Sequence, residues 1–169
     1  MKTIFSILIF LIFSPSILAN TEGEVQVGSY LREATLQGLS GKSRKISEFR
    51  GKPLIINVWA SWCSPCRNEM ASIQHLSQRF GGEKFNVIGI STDDDANAAA
   101  SFIKTSKLTF ENYIDSNVLL ENMLGADTIP LTILVDAHGR VIRKVSGSQN
   151  WDNPELLQLI GKAFKIKIQ

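Results

Sequence analysis

The sequence predicts an α/β protein, a central mixed β-sheet flanked by helices on both faces. Three observations carry this. Near-continuous apolar runs alternate with segments of helical periodicity along the chain, the pattern of buried strands joined by helical crossovers. Ala137-His138-Gly139 reads as a turn between two short strand-like runs, and the resulting hairpin makes the sheet mixed. The composition, 44% hydrophobic and 20% charged over 169 residues, is that of one compact domain. A chain near this length buries roughly 68–70% of its unfolded surface, so its core needs no covalent staple.

The elements follow in order. Met1-Lys2 is a short positive start, and residues 4–13 are apolar apart from Ser6. Pro15 and then Ile17-Leu18-Ala19 complete the three regions of a secretory signal peptide. Residues 1–19 are therefore a leader, cleaved after Ala19 or retained as an anchor. Spanning hydrocarbon takes about 20 apolar residues, and Pro15 interrupts this run earlier. On either reading the rest of the chain is exported. Residues 21–26 are polar and read as frayed. Apolar patches around Gly38 and Gly41 suggest a small hairpin over residues 30–46. Gly51-Lys52-Pro53 is a turn, and residues 54–59 form a buried strand.

Residues 63–80 carry a helical stripe of Met70, Ile73, Leu76 and Phe80, stopped by Gly81-Gly82. Residues 85–90 are a second strand. Residues 96–104 are a helix with Asp93, Asp94 and Asp95 grouped at its positive end. Residues 118–124 form a short helix ending at Gly125. Residues 131–135 and 141–145 are the hairpin strands, and residues 154–164 the last helix, with Pro154 at its start.

The counts exclude several classes. Two cysteines are too few for a disulfide-dense scaffold or a four-cysteine zinc site. A net charge of +2 with interspersed signs lacks the clustered Lys and Arg that nucleic acid requires.

The chemistry concentrates at Trp62-Cys63-Ser64-Pro65-Cys66, where a buried strand gives way to a helix. Cys63 falls at the helix N-terminus, whose free N–H groups and dipole stabilise a thiolate. The three-residue spacing brings both sulfurs within disulfide reach across the first turn. Pro65 is tolerated there because its missing N–H would be unpaired anyway. A structural disulfide closing so short a loop would add little stability. A metal half-site would need further ligands, yet His75 lies off its helix's apolar face and His138 in a turn. A CxxC after a strand in an α/β pattern reads as a thioredoxin-like redox motif. Export sharpens the point, since such a pair is oxidised there unless something reduces it.

The stretch from Asn57 through Trp59, Trp62, Cys63, Pro65, Cys66 and Glu69 to Met70 resembles the active-site segment of the TlpA/ResA/CcmG-like (DsbE-like) periplasmic thioredoxins. Gly125 to Asp136, with Ile129-Pro130-Leu131 at its centre, resembles that family's cis-proline segment. Asp136 to Arg140 and Trp151 to Glu155 resemble its following turn and last-helix start. The likeness implies a thioredoxin fold over residues 28–166, with an N-terminal hairpin extension and a family-type insertion around residues 92–115.

The likeness also implies residue roles. Cys63 is the nucleophile and Cys66 the resolving thiol. Trp62, Ser64, Pro65, Ile129 and Pro130 form the substrate-binding surface. Pro130 is the cis-proline that turns the Ile129 backbone toward a substrate strand; without the resemblance it is an ordinary strand-initiating proline. Glu69, three residues after Cys66, handles the proton; without the resemblance it is a solvated helix glutamate. Asn57 stands where cytoplasmic thioredoxin has a buried aspartate, and it cannot titrate. Ala71 and Leu131 depart from the family's frequent proline and threonine.

The expected activity is protein disulfide reduction through Cys63–Cys66, with no metal and no separate cofactor. The implied clients are exported disulfides or thiols, such as those of apocytochrome c. The implied electron donor is membrane-embedded, the expected compartment the periplasm, and the expected state a monomer. Two alternatives remain open: an oxidase or isomerase of the same fold, and a redox-gated sensor or binding module.

Overall fold

The computed structural model describes residues 23–39 and 41–168. The leader expected over residues 1–19 lies outside them. The elements run β1 Thr35–Gly38, β2 Arg44–Lys45, a 3-10 turn Ile46–Phe49, β3 Leu54–Trp59, α1 Ser64–Phe80, β4 Asn86–Ser91, α2 Ala96–Thr105, β5 Glu111–Ile114, α3 Leu119–Leu124, β6 Leu131–Val135, β7 Val141–Ser146 and α4 Pro154–Phe164. The strands form one mixed sheet in the order β2-β1-β5-β4-β3-β6-β7.

Every residue of β3 is buried, because β3 is central and covered on both faces. It runs parallel to β4 and antiparallel to β6. Its alternating side chains divide the core in two. Leu54, Ile56 and Val58 face Ile88, Ile133 and the buried residues of α3. Ile55 and Trp59 face the opposite layer, built on Met70, Ile73 and Leu76 of α1, Ile103 of α2 and Ile160 of α4. The parallel β4–β5 pair needs a crossover connection, which α2 supplies.

The helix boundaries have local causes. Cys63 caps α1, with Pro65 in its first turn. Asp95 caps α2, its carboxylate accepting from the Asn97 N–H at 2.9 Å. Asn153 caps α4 in the same way, followed at once by Pro154. The Asp115 carboxylate accepts from the Leu119 and Glu121 N–H groups at 3.0 and 2.7 Å and so starts α3. Gly125 ends α3 at φ 67°, a conformation glycine adopts without steric cost. A Cβ there would run into the Glu24 carboxylate.

Three sequence expectations are corrected. The segment 92–115 contains a strand, β5, that no apolar run in the sequence marks. Polar Glu111 and Asn112 mask it, although Asn112 is buried and accepts from the Trp59 indole at 3.1 Å. The reading of residues 21–26 as frayed fails at Val25, which is buried in the core and donates to the Met123 carbonyl at 2.8 Å. The three consecutive aspartates are not one group at a helix start. Asp95 caps α2, while Asp93 is buried against the loop before Cys63.

Candidate active site

The parallel strands β3, β4 and β5 end together at one edge of the sheet, and antiparallel β6 begins there. The CxxC loop leaves β3 at this edge. Cys63 and Cys66 are joined by a disulfide, with their Cα atoms 5.3 Å apart. The Cys66 N–H donates to Cys63 Sγ at 3.2 Å, so Cys63 is held as the N-cap of α1. The two sulfur-bearing residues are unequally buried, Cys63 at 5% exposure and Cys66 at 0%. Trp62 beside them is 70% exposed, and Ser64 and Pro65 are also exposed.

The loop before β6 completes the surface. The Ile129–Pro130 peptide bond is cis. The Ile129 carbonyl oxygen lies 3.8 Å from Cys63 Sγ, a contact rather than a hydrogen bond because a disulfide sulfur carries no proton. Pro130 is buried and Ile129 half-buried. The structure thus brings Trp62, Cys63, Ser64, Pro65 and the 129–130 loop to one edge, with Cys66 and Glu69 beneath.

Glu69 is not solvated, contrary to the alternative reading of its helical position. It is 1% exposed. Its carboxylate accepts from Asn57 Nδ2 at 2.6 Å, the Gln149 N–H at 2.9 Å and the Trp151 indole at 3.4 Å. Burial raises its pKa, and these three hydrogen bonds only partly offset that. Asn57 also donates to the Thr132 hydroxyl at 3.0 Å, while its own Oδ1 is buried without a partner. Sequence reasoning missed Gln149, Trp151 and Thr132 here. They come from distant strands and loops, and no local pattern marks them. Among the described residues no cluster of His, Cys, Asp and Glu is arranged to hold a metal ion.

A disulfide at a helix N-cap, facing a cis-proline loop at the end of a mixed sheet, defines a thioredoxin-fold thiol–disulfide oxidoreductase. The chain belongs to the Redoxin family, which it matches over residues 26–160. It is 26% identical over 161 residues to the thiol-disulfide oxidoreductase ResA of Bacillus cereus, covering 91% of this chain and 93% of that one. Its fold is similar to the thiol:disulfide interchange protein DsbE structure from Chlorobium tepidum, with a TM-score of 0.76, 24% identity and coverage of 83% and 99%. It is also similar to a secreted disulfide oxidoreductase of Mycobacterium tuberculosis homologous to E. coli DsbE, with a TM-score of 0.66, 23% identity and coverage of 77% and 93%. The match to ResA supports the resemblance to the TlpA/ResA/CcmG-like group, and the structures share its fold.

Proposed function

We propose that the chain is an exported protein disulfide reductase, with Cys63 as attacking thiol and Cys66 as resolving thiol. The observation that carries this reading is the asymmetry of the pair. Cys63 caps α1 beside the exposed Trp62, whereas Cys66 is fully enclosed. The first cysteine keeps a small exposed surface toward an incoming disulfide and the second keeps none.

In the dithiol form, the Cys63 thiolate attacks one sulfur of the client disulfide. A mixed disulfide forms and one client thiolate leaves. Cys66, deprotonated, attacks Cys63 Sγ and expels the second client thiolate. The two thiol protons end on the client, which gains two electrons, and the chain returns to the disulfide seen here. Glu69, one helical turn beyond Cys66, is the proposed proton acceptor for that thiol. Ile129 and Pro130, with Trp62, Ser64 and Pro65, form the surface that receives the client. A membrane-embedded dithiol donor then re-reduces Cys63–Cys66, and exported clients of the apocytochrome c type fit the proposed compartment. Cleavage or retention of residues 1–19 decides whether the domain, proposed over residues 28–166, is free or anchored. Among the described residues no helix is long and apolar enough to cross a membrane.

The reducing direction rests on Ser64-Pro65, which places no cation between the cysteines. Strong oxidants owe their potential to a stabilised reduced form, and this loop adds little such stabilisation. Equilibration against dithiothreitol or glutathione buffers tests it. The expected potential is about −250 mV or lower, near thioredoxin's. A potential near about −120 mV, that of a strong periplasmic oxidant, would reverse the assigned direction.

A further inference from the structure

Asp93 follows β4 and is 2% exposed. Its carboxylate accepts three hydrogen bonds, none from a cation. Oδ2 takes the Ser61 N–H at 2.9 Å and the Ser91 hydroxyl at 2.6 Å, and Oδ1 takes the Ser61 hydroxyl at 2.7 Å. Its own N–H donates to Ser91 Oγ at 3.1 Å. The β3–β4 ladder pairs residues as far as Trp59 and Ser91. One more backbone bond follows, from the Thr92 N–H to the Trp59 carbonyl at 2.9 Å. The next donor on the β3 side, the Ser61 N–H, is met by the Asp93 side chain. Asp93 therefore carries the ladder one step past the sheet, into the loop that ends at Cys63. Two residues on, the Cys63 N–H closes that loop on the Ala60 carbonyl at 3.2 Å.

We propose that Asp93 is a positioning residue for thiol–disulfide exchange, one that holds the Ser61–Trp62 loop so that Cys63 stays at the N-cap of α1 when the disulfide is open. The proposal rests on the reading of Cys63 as the attacking thiol. In the oxidised protein the S–S bond itself restrains Cys63. In the dithiol that restraint is gone, and the loop's anchorage takes its place. The thiolate gains from the helix N-terminus only while it stays there. Removing the Asp93 acceptor leaves the Ser61 donors without protein partners and releases the loop. The reduced form then loses stabilisation, which lowers the reduction potential.

The test uses the reduced protein, iodoacetamide at pH 7 with the modified cysteine located by mass spectrometry, and redox equilibration with dithiothreitol. Asp93→Ala is expected to slow Cys63 alkylation about tenfold and to shift the dithiol–disulfide equilibrium about tenfold toward the disulfide, about 30 mV more negative. Asp93→Asn is expected to recover most of the rate. Its amide oxygen can accept the Ser61 N–H and Ser91 hydroxyl, and its NH2 can donate to Ser61 Oγ. Asp93→Ala matching the wild type in both readouts overturns the proposal. So does Asp93→Asn impaired as deeply as Asp93→Ala, because charge rather than position would then be decisive. If Asp93→Ala does not fold, Ser61→Ala decides. It removes one bond only and is expected to slow alkylation about threefold, and an unchanged rate overturns the proposal. Wild-type labelling at Cys66 before Cys63 overturns the nucleophile assignment and this proposal together. Normal Cys63 labelling with an unaffected Asp93→Ala overturns the positioning role alone.

Discussion

Burial raises the proton affinity of Glu69, and the Asn57, Gln149 and Trp151 donors pull the other way. Burial dominates, so the folded protein keeps this proton at a pH where the unfolded chain, with an ordinary glutamate pKa of about 4.3, has lost it. The native state then binds more protons than the unfolded state. Stability is complete below the unfolded value and falls as pH rises through the raised one, by up to about 1.36 kcal/mol per pH unit. Glu69→Gln removes the titration. The Asn57 amide, turned over, can present its partnerless Oδ1 to the new NH2 and also accept from Thr132. Urea unfolding of the oxidised proteins between pH 4.5 and 8 is expected to show the variant gaining on the wild type as pH rises. Parallel curves would mean that Glu69 ionises at its ordinary pKa.

At the scale of elements, α3 begins under strain. Val118 precedes it with φ 50°, in the left-handed region, where a β-branched residue is rare. The cost is about 1–2 kcal/mol, sustained by the Asp115 carboxylate that accepts from the Leu119 and Glu121 N–H groups. Val118 is 40% exposed, so little burial is lost by replacing it. Val118→Asn, with a residue that tolerates this conformation, is expected to stabilise the protein by about 1 kcal/mol. Thermal denaturation checks this, and an unchanged or lower midpoint would show that the strain is relieved elsewhere. In the same way, Asp95→Ala is expected to cost about 1 kcal/mol by uncapping α2. A cost near zero in urea unfolding would mean that water replaces the cap.

At the scale of the whole molecule, the segment before β1 is part of the fold. Val25 and Leu31 are buried in the layer that holds α3. The Glu24 carboxylate pairs with Lys144 of β7 at 2.6 Å. The Gly28 N–H donates to the Val141 carbonyl at 2.8 Å, and the Val141 N–H to the Ser29 carbonyl at 2.9 Å. These bonds occupy backbone groups at the start of β7, an edge strand of the sheet, which would otherwise offer a free pairing edge. A chain beginning at residue 32 loses both buried side chains, each worth about 1.5–3 kcal/mol. Its urea midpoint is expected to fall sharply, since whole domains are stable by only about 5–15 kcal/mol. A midpoint equal to that of the full chain would show the segment to be ornamental to stability.

Local pattern alone determined most of this architecture. The continuous apolar run of β3, the stripe of α1, the β6–β7 turn and the glycines and proline at the helix ends each state their structure through period or turn chemistry over a few neighbours. The cysteine pair at a strand–helix junction was legible for the same reason. Tertiary structure decided what neighbours cannot encode. It made β5 a strand, because polar Asn112 finds a buried partner in Trp59. It buried Glu69 by bringing Gln149 and Trp151 from beyond β7. It separated Asp93 from Asp95, because only one of them meets Ser61 across the sheet. In each case a polar side chain's fate depends on which donors and acceptors arrive from far along the chain, and sequence spacing carries no record of that.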